Sequence, residues 1–287
     1  MCNKNGISVE GVLGLVRRSL KQHELEVAFR DNRLDKVRHL LVHSSLSSLG
    51  HVEGGARTVL DALMAVLGPA GTLMAPTFNY FLEDHEVFDP LTKPSQTGAI
   101  PEALRKCSGA VRSFHPTYSV AALGPDAVAL TSDHWQAEPV GMDCPIDRLA
   151  REGGSVLLIG VKHDANSTIH VGEAYADVPY RGIPFEPSWP RTARTYLPTG
   201  ECIELDLHNE PGCSTAFGVI ELPLREQGSI SDFKIGQCKC QLMKAMDIIE
   251  ATVQLLEKDM SILLCSNPNC RFCPRARESI RQWEKGP

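Results

Sequence analysis

The sequence predicts an α/β fold, and three observations predict it. Short, continuously apolar runs recur along the chain. Amphipathic segments alternate with them. The first such unit, about 40 residues long, has the size of one strand–helix–strand crossover. The chain has 287 residues, 43% hydrophobic and 22% charged, a globular balance with enough length to bury a proper core.

Taken in order, residues 9–30 place Val12, Leu13, Val16 and Leu20 at helical spacing, so one or two helices are expected there. Residues 37–42 (VRHLLV) read as a buried strand that runs into the Ser-rich turn HSSLSSLGHVEGG. A helix is expected from Arg57 to Leu67, with Val59, Leu60, Leu63, Val66 and Leu67 on its apolar side and Gly68-Pro69 stopping it. Residues 71–76 (GTLMAP) read as the second strand. A loop over 78–99 precedes a short helix at 101–107, and 118–124 and 155–161 read as further buried strands. The stretch 191–207 alternates and is expected to form an antiparallel hairpin about Thr199-Gly200. Residues 237–258 read as one long amphipathic helix through Leu242, Met246, Ile249, Val253 and Leu256. No internal repeat or low-complexity linker is present. Arg271, Arg275, Arg277, Arg281 and Lys285 make the end of the chain basic, as an appended element or as a solvated helix face.

Composition removes several function classes. Lys plus Arg number 29 against 35 Asp plus Glu, a formal net charge of -6, which argues against a nucleic-acid partner. No apolar run reaches the ~18 residues of a membrane span. The start, Met-Cys-Asn-Lys-Asn-Gly, lacks the apolar core of a signal peptide, so a cytoplasmic protein without a membrane partner is expected. In such a compartment most of the ten cysteines read as buried small side chains or free thiols. Cys265, Cys270 and Cys273 stand apart as C-x4-C-x2-C; with Cys238, Cys240 or a histidine as fourth ligand they would suit a structural zinc.

Three segments carry chemistry. His43-Ser44-Ser45-Leu46-Ser47, between a strand and a helix, offers hydroxyls and backbone N–H groups to a phosphate or pyrophosphate; plain helix capping by serine is the alternative. It has no P-loop lysine. Arg112, Ser113, His115 and Ser119 would grip a second phosphate, Arg112 supplying the fork, or else form an ordinary surface loop. In Gly160–Glu173 a buried strand ends in a polar run, where functional groups of α/β proteins collect. There His170 and Glu173 share one helical face, a pairing that suits a general base oriented by a carboxylate, with Asp164 as another orienting group. Simple polar decoration of a helix is the alternative. Acidic stretches with no Lys or Arg, at 79–89 (Glu83, Asp84) and around Asp143, would attract a polycation.

The stretches LLVHSSLSSLGHVEGGARTVLDALMAVLGPAGTLMAPTFNY, FDPLTKPSQTGAIPEALRKCSGAVRSFHPTYSVAALG and PVGMDCPIDRLAREGGSVLLIGVKHDANSTIHVGEAYADVPY, in this order and spacing, resemble the aminoglycoside 3-N-acetyltransferase family. The resemblance runs from about residue 37 to 181 and continues more weakly through IGQCKCQLMKAMDIIEATVQLLE. It implies a single α/β domain whose central mixed β-sheet is flanked by helices, here spanning 37–262; the chain departs from the simplest family pattern in its N-terminal helical region over 1–36 and its appended Cys-containing tail over 263–287. It implies transfer of an acetyl group from acetyl-CoA to the 3-amino group of 2-deoxystreptamine aminoglycosides, and with it antibiotic resistance. Carried over, His43, Ser44, Ser45, Leu46 and Ser47 line the pantetheine and pyrophosphate. Arg112, Ser113, His115 and Ser119 hold the remaining CoA phosphates, and Gly71, Thr72 and Pro76 lie near the thioester. His170 and Glu173 are the catalytic pair. Tyr80, Glu83, Asp84, Asp143 and Glu173 face the amine, with Phe78 and Trp135 as an aromatic frame for a smaller one.

No cysteine matches a nucleophile, so direct transfer in a ternary complex is expected over a cysteine-acylated route. The oxyanion would fall to Ser44, Ser45 or Thr72. A different acceptor amine and a non-catalytic CoA-binding relative are the other readings, in a monomer or homodimer.

Overall fold

The computed structural model describes residues 19–80 and 86–286. Its strands are β1 (His39–Ser44), β2 (Thr72–Pro76), β3 (Val87–Phe88), β4 (Val111–Arg112), β5 (Val120–Leu123), β6 (Ser155–Ile159), β7 (Thr192–Tyr196), β8 (Cys202–Asp206), β9 (Ser231–Ile235) and β10 (Cys238–Lys244). Its helices are α1 (Gln22–Asp31), α2 (Ala56–Leu67), α3 (Ala99–Arg105), α4 (Ala127–Thr131), α5 (Pro145–Arg151), α6 (Thr168–Tyr175), α7 (Glu221–Glu226), α8 (Ala245–Lys258) and α9 (Cys273–Glu284).

Seven strands form one mixed sheet in the order β4-β5-β2-β1-β6-β10-β9. The three central strands β2, β1 and β6 are parallel; β5 and β10 flank them antiparallel. The expected βαβ unit is β1-α2-β2. The central strands are buried along nearly their whole length, which is why they read as continuous apolar runs. Their side chains alternate between two cores. Leu40, Val42, Leu73, Ala75, Leu157 and Ile159 pack under α1, α2 and α3. Leu41, Met74, Val156 and Leu158 face the other side, under α4, α5, α6, α8 and α9. The hairpin β7–β8 forms as expected, with Gly200 at φ +83° in its turn, and β3 joins it in a small second sheet.

Two expectations need correction. Within 9–30 the described helix begins only at Gln22, where the Lys21 N–H and the Glu24 carboxylate close its first turn at 3.0 Å; Leu20 instead bridges Val52, and Val12, Leu13 and Val16 lie outside the described residues. The long helix at 237–258 is two elements. Cys238–Lys244 is strand β10, hydrogen-bonded to β6 and to β9, and only Ala245 onward is helical. Leu242 fits the helical spacing of the residues that follow it, yet Cys238 and Cys240 are buried and Lys239 between them is exposed, the period of a strand.

Helix α6 crosses α8 at Gly172, where an added Cβ would lie 2.4 Å from Thr252 Cβ. This close approach fixes the height of α6 over the sheet. Gly172→Ala is expected to destabilise the fold by about 1–3 kcal/mol through overpacking, read as a lowered urea midpoint; an unchanged midpoint would show that the crossing has slack.

Candidate active site

The parallel pairing of β1 with β6 sets Ser44 level with Ile159, so both strands release their chains at one edge of the sheet. From β1 comes the turn carrying Ser45–Leu49, anchored by the Ser45 N–H on the Ile159 carbonyl at 2.9 Å and by the Ser48 hydroxyl on the Gly160 carbonyl at 3.1 Å. From β6 comes the polar run that enters α6. The Asn166 side-chain oxygen accepts the Thr168 N–H at 3.2 Å as that helix starts.

One turn into α6, His170 Nδ1 and Glu173 Oε2 are 2.6 Å apart. The Tyr180 hydroxyl donates to the other carboxylate oxygen at 2.9 Å, and Phe217 packs edge-on against the imidazole at 4.7 Å between centroids. His170 and Glu173 keep 8% and 6% exposure. The carboxylate therefore fixes the ring's tautomer and orientation, and Nε2 is the nitrogen left for a substrate. Burial and the Glu173 charge push the Tyr180 phenol well above its usual range, so it stays a donor.

His170 borders two clefts. The larger is lined by Phe78, Tyr80 and Tyr118, by Asp164, Asn166 and Ser167, and by Pro211-Gly212. The smaller, a narrow crevice, lies toward Tyr180, Arg181, Glu210 and Phe272. Phe78, Tyr80 and Tyr118 meet edge to face, at 4.9 to 6.3 Å between centroids. Glu210 accepts from the Thr117 hydroxyl at 2.8 Å; its burial raises its carboxyl pKa. Arg181, on the same wall, is neutralised by Glu138 at 2.8 Å. Among the described residues, Asp164 and Glu210 are the carboxylates besides Glu173 that line the clefts His170 borders. Asp164 shares the cleft, while the hydrogen bond to the imidazole is made by Glu173. Glu83 and Asp84 lie outside the described residues.

Four buried polar atoms have no partner on these segments: His43 Nε2, Ser44 Oγ, His163 Nε2 and Thr168 Oγ1. Buried polar groups are nearly always bonded, so these atoms, on segments that leave the ends of β1 and β6, find no partner among the described residues and are open to water or a ligand. Ser45 and Ser47 bond each other through their hydroxyls at 3.0 Å, and Leu46 is half-buried beside them.

Other sequence-predicted residues lie elsewhere or are already engaged. Thr72 pairs with His39, at the start of β1, four residues and about 13 Å of strand from His43. Thr72 and Gly71 are therefore at the opposite edge of the sheet; Thr72 Oγ1 accepts the Asp126 N–H and Gly71 packs against Leu67. Asp143 is also on that far side, ion-paired to Arg148 at 3.1 Å and Arg151 at 2.7 Å. Arg112 is buried over the Phe88 ring, and its N–H groups all meet protein acceptors: the Thr77 and Ser119 hydroxyls, the Thr77, Pro90 and Lys93 carbonyls and the Asn79 side chain. It ties Thr77 and Asn79 to Pro90 and Lys93 and presents no fork to a phosphate. Ser113 bonds His134 Nδ1 at 2.8 Å, the His115 ring accepts the Tyr118 N–H at 3.1 Å, and Ser119 donates to the Thr77 carbonyl, so this motif is an internal network. Trp135 packs on Phe114 and lines neither cleft.

Sequence reasoning missed Glu210, Tyr180, Tyr118 and Cys213. Glu210 had one signal, an acidic residue directly before Pro211-Gly212. Cys213 has its thiol within 4.8 Å of those of Cys265, Cys270 and Cys273. It is the fourth member of that cluster, in place of Cys238, Cys240 or a histidine.

Residues 41–257 match the profile of the family described as Aminoglycoside 3-N-acetyltransferase. An aminoglycoside N(3)-acetyltransferase IV of Salmonella is 34% identical over 227 residues, 78% of this chain and 83% of its own. An aminoglycoside N(3)-acetyltransferase VII of Streptomyces paromomycinus is 33% identical, with 77% and 86% covered. Among solved structures, the aminoglycoside acetyltransferase AAC(3)-IVa in complex with gentamicin superposes with a TM-score of 0.79 at 31% identity, over 93% of this chain and 100% of that one. The binary complex of AAC-IIIb with CoASH superposes at 0.71 and 26% identity, over 84% and 97%.

Burial lowers the His43 pKa to about 3 from an ordinary value of 6.5. The unfolded chain then binds this proton more readily than the folded one, so stability falls as pH drops through about 6.5 and continues to fall until about pH 3. Urea unfolding of His43→Gln across that window is expected to show a pH slope shallower by up to one proton than the parent. Equal slopes would mean that His43 is accessible and titrates normally.

Proposed function

The chain belongs to the aminoglycoside 3-N-acetyltransferase family, and from that premise we propose that it moves the acetyl group of acetyl-CoA to the 3-amino group of a 2-deoxystreptamine aminoglycoside, the reaction of an antibiotic-resistance enzyme. The observation that carries this reading is the His170–Glu173 pair, 2.6 Å apart, at the junction of two clefts bordered by the carboxylates Asp164 and Glu210. A polycationic acceptor is what such a lining would attract.

In the proposed reaction the acceptor amine, held near Asp164 and Glu210, attacks the thioester carbonyl while His170 Nε2 takes its proton. Glu173 stabilises the imidazolium through Nδ1–H, and Tyr180 holds Glu173 in place. The carbon–nitrogen bond forms as the carbon–sulfur bond breaks, and the proton on His170 returns to the departing CoA thiolate. The acetyl group passes directly, with no acyl-enzyme. The orphaned Ser44 and Thr168 hydroxyls are the candidates for the oxyanion; Thr72, at the far edge, is not. The pantetheine would run along His43–Ser47. Because Arg112 is engaged, the CoA phosphates are assigned instead to the groove that carries the exposed Lys162, Lys234 and Lys239, next to the Gly160 carbonyl that anchors the serine turn. An ion held by Cys213, Cys265, Cys270 and Cys273 would have all four tetrahedral positions filled by sulfur and take no part in the transfer.

The direct test is product mass after incubation with acetyl-CoA and a panel of aminoglycosides and simple amines. A singly acetylated aminoglycoside is expected from the parent; product only on a simple amine would move the acceptor to a smaller molecule held by Phe78, Tyr80 and Tyr118. His170→Ala should lose roughly 10²–10⁴-fold in turnover, as other general bases do, with acetyl-CoA affinity kept. Undiminished turnover would remove His170 from the chemistry. Arg112→Ala should lower the melting temperature and change the affinities for CoA and dephospho-CoA by the same factor. A loss confined to CoA would return Arg112 to the 3′-phosphate.

A further inference from the structure

The four clustered thiols come from two separate parts of the chain. Cys213 follows Pro211-Gly212, the two residues common to the larger and smaller clefts at His170. Cys265 lies after α8, and Cys270 and Cys273 enclose the turn that starts α9. All four sulfurs lie within 4.8 Å of one another, and Cys213 Sγ and Cys265 Sγ are 3.9 Å apart. A tetrahedral zinc with Zn–S bonds of about 2.3 Å requires sulfurs about 3.8 Å apart. Disulfides would require about 2.05 Å, and all four of these cysteines are free thiols. The Cys273 N–H points at Cys270 Sγ at 3.5 Å, and the Thr215 hydroxyl lies 3.2 Å from Cys213 Sγ; polar neighbours of this kind support sulfurs that carry charge. Cys213, Cys265 and Cys273 are buried and Cys270 half-buried, so the cluster has the enclosure of a structural site and not of an open catalytic one.

We infer that Cys213, Cys265, Cys270 and Cys273 form a tetrathiolate zinc centre that clamps the C-terminal helix onto the wall of the His170 site. The neighbouring contacts show what the clamp holds. Phe272, between two of the ligands, lines the smaller cleft, stacks on Phe185 at 6.2 Å and meets Tyr180 edge-on at 6.0 Å. Its ring fills the space where Gly212 would carry a Cβ, 2.4 Å away. Tyr180 in turn bonds Glu173. Arg275 donates to the Pro184 and Phe185 carbonyls, Arg277 to those of Leu264 and Cys265, and Ser279 to that of Pro179. Arg275 and Ser279 thus fasten α9 to the loop that follows α6, Arg277 ties it to the segment after α8, and the metal locks its first turn to Gly212. Cys213, Cys265, Cys270 and Cys273 act here as positioning residues.

The metal assignment stands without the acetyltransferase reading; the effect on transfer rests on it. The experiment is elemental analysis of tag-free full-length protein, followed by cobalt replacement. One zinc per chain is expected, released by a mercurial thiol reagent, and the cobalt form should show the visible bands and ultraviolet thiolate charge-transfer band of a tetrahedral tetrathiolate site. Cys213→Ser should lose the four-sulfur spectrum. Protein with substoichiometric metal and four freely titrating thiols, or with disulfides, would overturn the centre, and this needs no variant to fold. An unchanged cobalt spectrum in Cys213→Ser would overturn the ligand set. Cys270→Ser, with its metal weakened, should raise the aminoglycoside KM several-fold while acetyl-CoA affinity stays within twofold; equal effects on both would reduce the clamp to general stability and overturn its link to the site.

Discussion

The parallel register of β1 against β6 is the constraint on which the remainder of the molecule depends. It brings the ends of two adjacent, fully buried strands to one edge of the sheet and sends both chains out over the same ground. One becomes the serine turn, the other the polar run into α6. Because side chains alternate across a strand, His43 falls on the same face as Leu41, the face covered by α6 and α8. Helix α6 then has one height it can take, set by Gly172 against Thr252. The orphaned polar atoms of His43, Ser44, His163 and Thr168 gather at this edge.

Chemistry is layered onto that frame from outside the sheet. Helix α6 supplies His170 and Glu173 at a spacing that lets them meet, the loop after it supplies Tyr180, and the 208–214 segment supplies Glu210 and the wall at Gly212. Each member of the His170–Glu173–Tyr180 chain fixes the next, so the imidazole is held before a substrate arrives. In the proposed reaction this is the pre-organisation a general base needs, since a ring free to rotate would lose the geometry of proton transfer.

The central sheet was legible because buried parallel strands are written as unbroken apolar runs: VRHLLV and SVLLIGV need no periodicity analysis. The His170–Glu173 pair was legible for a similar reason, since residues three apart on a helix share a face whatever the tertiary structure does. Strand β10 was not. Its CKCQLM alternation is short, and its Leu242 continues into the spacing of the helix behind it. Position along the chain is a poor guide to position in space: Gly71 and Thr72 are close in sequence to Pro76, but they lie at the start of β2, at the sheet edge opposite His43 and Ser44. Arg112 looked like an anion fork because arginine, serine and histidine were adjacent. The carbonyls that consume it belong to Thr77, Pro90 and Lys93, 19 to 35 residues away, so no local motif announces them. Cys213 lies 52 residues from Cys265, so no spacing rule ties it to the terminal cysteines; only folding does.

The central claim is that the acceptor amine reacts within reach of His170. The measurement that meets it most directly is the distance from His170 Nε2 to the acceptor nitrogen in a crystal structure of the dead-end ternary complex with CoA and a 2-deoxystreptamine aminoglycoside. The account predicts the 3-amino group about 3 Å from Nε2, with the CoA thiol beside it and the other ammonium groups turned toward Asp164 and Glu210. An aminoglycoside seated away from α6, with its 3-amino group nearer a thiol than the imidazole, would contradict it.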